Sequence, residues 1–294
     1  MTLQQLAYFL AVAETRNFTR AAAREHVAQP SLSKQVRALE AELGSALFTR
    51  TPAVALTPAG EALLPIANRI LSDVDSARLE VAELAGLRRG RIRLGATPSI
   101  SVGVLPDVLR RFHDAHPGVR LLVEESGSGD LTRALIAGDL DLALVIVPPQ
   151  GVDPSLRATP VLRDDLVVAS STELPPRMRV ADLRDRPMVM YRQGYDLRET
   201  TLTACRTAGF EPRLSVEGGE MDAVLRFVEA GLGVAVVPSL VLAEHPRLHA
   251  SPLAGLRRTV ALAHRSDAPP TSAARAFQAV LVEHLGHGVS ASSR

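Results

Sequence analysis

The segment spanning residues 18–50 constrains this chain more than any other. It runs Phe18-Thr19-Arg20-Ala21-Ala22, then Val27-Ala28-Gln29-Pro30-Ser31-Leu32-Ser33-Lys34-Gln35-Val36-Arg37, then Leu43-Gly44 and Leu47-Phe48-Thr49-Arg50. Two short helices joined by a tight turn account for it. Thr19 can cap the first. Pro30 opens the second, where its missing N–H costs nothing, and Gly44 stops it. The second helix is polar at its start and apolar along one side. A helix-turn-helix presents its recognition helix to the major groove of double-stranded DNA in this form.

An amphipathic helix precedes the pair, with Leu3, Leu6, Phe9, Leu10 and Ala13 at helical spacing. Leu47 to Leu56 reads as a short two-stranded wing broken by Pro52. Over residues 58–87 a helical pattern runs past one proline, Pro65, and would span about 45 Å at 1.5 Å per residue. Within it Leu63, Ala67, Ile70, Val74, Ala77, Val81 and Leu84 recur at spacings of four and three, flanked by Arg69, Asp73, Arg78, Glu80 and Glu83. Such heptad register predicts a coiled-coil dimer seam; the alternative is a helix lying on its own domain. Arg88-Arg89-Gly90 reads as a hinge.

After Gly90 strands alternate with helices. The first run has strands at 92–96, 119–123 and 140–147 and helices at 105–113 and 131–136. The second has strands at 165–169, 188–191, 214–216, 234–237 and 260–264, with helices at 200–207, 222–230 and 272–285; residues 286–294 form a small polar tail. This order predicts an α/β sheet with parallel strands. Two successive runs predict two subdomains around a cleft. Ligands bind there at the carboxyl ends of strands, next to helix N-termini.

The 294 residues leave room for about two domains. A formal net charge of +1 excludes a chain that coats itself with nucleic acid, so DNA contact must be local. Residues 1–58 carry six basic against four acidic side chains, a modest patch that dimerisation doubles. The single cysteine, Cys205, excludes an internal disulfide and fits a reducing compartment. With no charged-then-apolar leader and no apolar run of about 18 residues, the expectation is a soluble cytoplasmic protein with no membrane partner. No Gly-x-Ser-x-Gly elbow, Walker loop or His-Glu-x-x-His occurs, so neither an enzyme nor a cofactor is expected. The pairs His245/His249 and His284/His287 do not make a metal site on spacing. An exported solute-binding protein would need a leader and leaves the helix-turn-helix unexplained.

The order of parts resembles the LysR-type transcriptional regulators over nearly the whole length. The resemblance rests on Phe9, Ala13, Phe18, Thr19, Ala21, Ala22, Gln29, Pro30, Ser31, Leu32, Ser33, Gln35, Leu39, Glu40, Leu43, Gly44, Leu47, Phe48, Arg50, Leu56, Thr57 and Gly60. The run Ala230-Gly231-Leu232-Gly233-Val234-Ala235 with Pro238-Ser239 adds to it. It implies an N-terminal winged helix-turn-helix (1–58), a linker and dimerisation helix with hinge (59–90), and a periplasmic-binding-protein-like effector domain (91–294). Subdomain I would take about 91–162 and 266–288, and subdomain II about 163–265. It also implies a homodimer or homotetramer on dyad-symmetric promoter DNA, with RNA polymerase as a further partner. Glu25 departs from the family, which usually has leucine there; it is either exposed or paired with an arginine such as Arg24.

The expected DNA-binding residues are Arg20, Gln29, Pro30, Ser31, Ser33, Lys34, Arg37 and Arg50. Gln29 and Ser33 share a face near the helix start and can bond base edges; Lys34 and Arg37 continue it. Arg20 and Arg50 suit phosphate, which positions without specifying. In the effector half, Thr97, Ser99, Ser126 and Ser128 lie between strand ends and helix starts. They read either as helix caps or as an anion-receptive pocket. Ile100 and Val147 would line it for an organic body, and Arg192 and Tyr195 would clamp a carboxylate from the far wall. A small organic carboxylate is thus the expected effector. Cys205 reads as a small buried apolar residue or, alternatively, as a redox sensor.

Overall fold

The computed structural model describes residues 1–49, 53–84 and 90–289. Arg50, Pro52 and the expected hinge residues Arg88 and Arg89 lie outside these, as do the Leu84 side chain and the tail at 290–294. The chain divides into two units, Met1–Arg89 with Ala134–Asp139, and Gly90–Arg133 with Leu140–Arg294.

In the first unit α1 (Leu3–Thr15) opens on a capping box between Thr2 and Gln5. Helix α2 (Phe18–Arg24) is capped by Asn17, not Thr19: its side chain accepts from the Thr19 and Arg20 N–H groups at 2.9 and 3.0 Å. Helix α3 (Gln29–Leu43) has its proline in the first turn and ends at Gly44 with φ 70°. The strands β1 (Phe48–Thr49) and β2 (Ala55–Leu56) pair antiparallel as the wing. Glu40 of α3 ties that wing down, its carboxylate accepting from the N–H groups of Leu47 and Phe48 at 2.9 and 3.3 Å. Phe48 packs against Phe9 and Phe18 at centroid distances of 5.4 and 5.7 Å, in a core with Leu32, Val36 and Leu39.

Helix α4 (Pro58–Leu84) starts at Thr57, whose hydroxyl accepts from the Gly60 N–H at 3.1 Å. A Cβ on Gly60 would stand 2.2 Å from the Leu47 carbonyl oxygen, so this position requires glycine. The linker stripe changes surroundings along its length. Ala67 is fully buried in the winged-helix core, and Leu63 and Ile70 pack against that core. Further along, Val74 is half-buried, and Ala77 and Val81 are exposed.

The second unit opens with β3 (Gly90–Ala96), α5 (Pro98–Gly103), α6 (Leu105–Ala115), β4 (Val119–Glu125), α7 (Ser128–Ala137) and β5 (Leu142–Ile146). The long strand β6 (Leu156–Ser170) leads to β7 (Met188–Met190), α8 (Asp196–Thr207), β8 (Leu214–Glu217), α9 (Met221–Glu229) and β9 (Ala235–Pro238). A 3-10 helix (Ser239–Glu244), the long strand β10 (His249–Arg265) and α10 (Ser272–Val289) complete it. The six-stranded sheet is ordered β4-β3-β5-β10-β6-β9. Only the neighbours β3–β4 and β3–β5 pair parallel there; β10 pairs antiparallel with β5 and β6, and β9 antiparallel with β6. The sheet is therefore mixed rather than parallel.

Strands β6 and β10 are longer than their apolar runs because each carries charged residues between two apolar ends. Their ends serve different cores. Leu166 to Ala169 and Leu253 enter one with Met188, Tyr191, Leu225 and Val237. Val260 and Leu262 enter the other with Ile92, Leu144, Phe112 and Phe277. The chain thus re-enters the first subdomain at Val260, before the expected residue 266, because Val260–Ala263 are in register with β5.

Candidate functional site

On α3, Gln29, Pro30, Ser31, Lys34 and Arg37 are exposed. Ser33 is not: it is 8% exposed, beside the buried Leu32 and Val36. One step of four residues rotates it from the Gln29 direction onto the flank of the core-facing stripe, so it leaves the exposed set. The Arg37 Nε–H donates to the Ser33 carbonyl at 3.3 Å, which holds that guanidinium along the helix. Arg20, on α2, is exposed and donates to the Thr15 carbonyl at 2.8 Å. Arg24 pairs with Glu14 and, at 3.5 Å, with Glu25, so the unusual Glu25 sits in an ion-pair cluster.

In the second unit the two subdomains meet along the middle of β6 and β10, where Asp164 and Arg258 face each other in register. Arg258 donates through Nε and Nη2 to Asp164 Oδ2 at 3.0 and 2.8 Å, and through Nη1 to Ser99 Oγ at 2.9 Å. Ser239 donates to the other Asp164 oxygen at 3.0 Å. Ser99 stands at the start of α5 and Ser239 at the start of the 3-10 helix, so one buried ion pair joins elements of both subdomains. Beside it the rings of Tyr191 and Tyr195 stack at 4.6 Å. The Tyr191 hydroxyl donates to the Val236 carbonyl at 3.1 Å. Burial raises the Tyr195 hydroxyl above its ordinary range, and the nearby Arg258 charge opposes that rise. The buried hydroxyls of Tyr195 and Thr97 have no hydrogen-bond partner among the described residues. A buried donor without a partner is costly and marks a place where a small molecule can supply one.

Three of the expected cleft positions are engaged by the chain itself. Ile100, 1% exposed, packs in the core beneath α5. Arg192 is no free clamp, because its Nε donates to Glu220 at 2.6 Å. At α7 the place expected for a ligand carboxylate is taken by the chain itself. The Ser128 hydroxyl and N–H donate to Asp196 Oδ2 at 2.7 and 3.3 Å. Ser126, by contrast, bonds locally, its hydroxyl donating to the Asp130 carboxylate at 3.2 Å. The Val147 N–H donates to the Thr259 carbonyl at 2.9 Å and its side chain is half-buried.

Asp164, Asp196 and Arg258 are residues the sequence reading missed. The facing dipeptides Asp164-Asp165 and Arg257-Arg258, each beside an apolar run, were the available signal. Cys205 is fully buried, and burial pushes its thiol up, which disfavours the reactive thiolate. Among the described residues no cluster of His, Cys, Asp and Glu could hold a metal ion, and no helix is long and apolar enough to cross a membrane.

Residues 3–61 match the model of the bacterial regulatory helix-turn-helix proteins of the lysR family, and residues 85–286 match that of the LysR substrate binding domain. The chain is 36% identical over 243 residues to a probable hydrogen peroxide-inducible genes activator of Streptomyces viridosporus, over 81% of this chain and 77% of that one. It is 33% identical over 248 residues to the transcriptional dual regulator GltC of Bacillus subtilis, over 83% of each. Among solved structures, a full-length OxyR variant from Pseudomonas aeruginosa superposes with TM-score 0.76 at 29% identity, covering 97% of this chain and 94% of that one. Full-length CbnR complexed with its target DNA gives 0.70 at 26% identity, covering 98% and 99%. These relatives are regulators rather than enzymes, and the chain belongs with them to the LysR family, as a DNA-binding transcriptional regulator with an N-terminal helix-turn-helix and a C-terminal effector-binding domain.

Proposed function

We propose that the protein acts as a homodimer or homotetramer in the cytoplasm, on dyad-symmetric promoter DNA, and that a small effector in the cleft of the second unit resets the spacing of its DNA heads. The division at residues 58, 90 and 294 into head, linker and effector domain belongs to this reading. The exposed face of α3 carries it. Gln29 and Lys34 read base edges, Arg37 reaches guanine or phosphate, and Pro30 and Ser31 fit the helix start against the backbone. Arg20 and Arg50 grip phosphates. The free C-terminal half of the α4 stripe, Val74, Ala77 and Val81, pairs with its twin. The effector sits where Thr97, Ser99, Tyr195 and Arg258 converge, and a ligand that prefers one arrangement of the oligomer shifts it. Contact with RNA polymerase completes activation. Redox sensing through Cys205 is less well supported, since that thiol is buried and protonated.

The test starts from operator fragments selected from random duplexes with the wild-type protein. On these, Gln29→Ala should weaken binding by about 1–3 kcal/mol at its contacted position only. Arg20→Ala should weaken all sequences alike and reduce the salt slope by about one unit. Fluorescence anisotropy reads both. Unchanged affinity and unchanged base preference in the Gln29 variant would remove this helix from the groove.

A further inference from the structure

Asp196 opens α8 in one subdomain, and its carboxylate lies against the first residue of α7 in the other. Two N–H or O–H donors of Ser128 converge on one of its oxygens, at 2.7 and 3.3 Å. The same Ser128 hydroxyl accepts from the Ile146 N–H at 3.0 Å, so the contact is anchored to the end of β5. A Cβ built on Gly127 would stand 3.5 Å from the Gly194 carbonyl oxygen, so the two loops run close beside it. The Asp196 carboxylate therefore lies at the positive ends of both α7 and α8. Tyr195, adjacent in sequence, keeps its buried hydroxyl without a partner and feels the Asp196 charge.

We propose that Asp196 is a tethered anion. It fills the anion seat on α7, clasps the two subdomains in the effector-free chain, and bars carboxylate effectors from that seat. Effector recognition then falls to the uncharged hydroxyls of Thr97 and Tyr195 beside Arg258, whose own charge is matched by Asp164. The effector class is an uncharged hydrogen-bonding molecule. This deepens the reading of the cleft as the effector site and rests on it. The physical basis is effective concentration: a group held on the same chain stands at millimolar levels or more at its seat, so a free carboxylate at lower concentration cannot displace it.

Removing the tethered group should leave a seat that a free carboxylate can fill. Hydrogen exchange of the full chain is followed by mass spectrometry over peptides that cover Ser128 and Ile146, with sodium formate titrated against sodium chloride at equal ionic strength. In Asp196→Ala these amides should exchange about tenfold faster or more, the loss expected for charge-assisted hydrogen bonds. Formate should restore protection in the variant, saturably, and leave the wild type unchanged. Asp196→Asn keeps the shape and an acceptor oxygen, so it answers if the alanine variant does not fold; it should show intermediate protection. Wild-type protection in either variant overturns the proposal. So does a formate effect equal in wild type and Asp196→Ala, or one that chloride reproduces. These readouts need no effector. A screen that finds the effector elsewhere would defeat the cleft reading and leave the rescue standing, so the two failures are distinguishable.

Discussion

Two ion pairs of the same chemistry lie side by side where β6 and β10 cross between the subdomains, and they allow burial alone to be tested. Arg258 and Asp164 have side chains 6% and 2% exposed. Arg257 and Asp165, the next pair in register, are 70% and 69% exposed with a 3.4 Å contact. Successive strand residues point to opposite faces, which separates them. Asp164→Ala leaves a guanidinium in the interior with its Nε and Nη2 donors unmatched and removes the acceptor of Ser239. Breaking a buried pair on one side costs about 3–5 kcal/mol. For a unit of this size that lowers the melting temperature by roughly 6–20 °C, at about 2–4 °C per kcal/mol. Asp165→Ala should cost at most about 1 kcal/mol, and less at high salt. The double variant Asp164→Leu/Arg258→Met, which removes both charges, should recover much of the single loss. Urea unfolding of the four proteins at low and high salt measures all of this. If Asp164→Ala and Asp165→Ala cost the same, or the double variant is no better than Asp164→Ala alone, the ion pair does not hold this junction.

Two further outcomes follow from the first unit. Gly60→Ala should destabilise it by about 1–3 kcal/mol, because the 2.2 Å approach is to backbone and no side chain can move aside; a melting curve equal to wild type, read by circular dichroism, contradicts the packing of α4 on the wing. Val74→Glu with Val81→Glu should shift the full chain toward monomer in sedimentation equilibrium while the head stays folded, since Ile70, unlike these two, belongs to the head's own core; a double variant that stays fully dimeric refutes the seam.

The helix-turn-helix was legible because its signals are local. Pro30 and Gly44 mark the ends of α3 within a few residues of where they act. Local signals still misplace a cap by a residue or two: Thr19 reads as the cap of α2, but the helix begins at Phe18 and Asn17 takes the role. Ser33 shows the limit of spacing. Four residues place it near Gln29, but whether that flank is wet depends on what packs beside it. The linker stripe shows the same limit at larger scale, since a perfect heptad does not state which of its residues the chain's own head takes up.

In the effector half the sequence marked helix starts and not their bonding partners. Serines between a strand end and a helix start identify positively polarised N-termini, and Ser99 and Ser128 are indeed bonded to charged groups. What bonds them comes from 159 and 68 residues away, and no periodicity carries such a pairing. The sequence did hold a partial signal. Charged pairs of opposite sign at the ends of two apolar runs, Asp164-Asp165 and Arg257-Arg258, are what two antiparallel strands need to continue in register past their apolar ends. Read that way, the runs extend into the long strands observed, and one member of each dipeptide must point inward. An inward Arg–Asp pair needs further partners to be tolerated, and small hydroxyl residues at nearby helix starts, Ser99 and Ser239, supply them. The same matching of charges underlies the proposal of an uncharged effector. Under that proposal, with the α7 N-terminus and the Arg258 guanidinium matched by the chain's own carboxylates, recognition rests on the hydroxyls of Thr97 and Tyr195, which have no partner among the described residues.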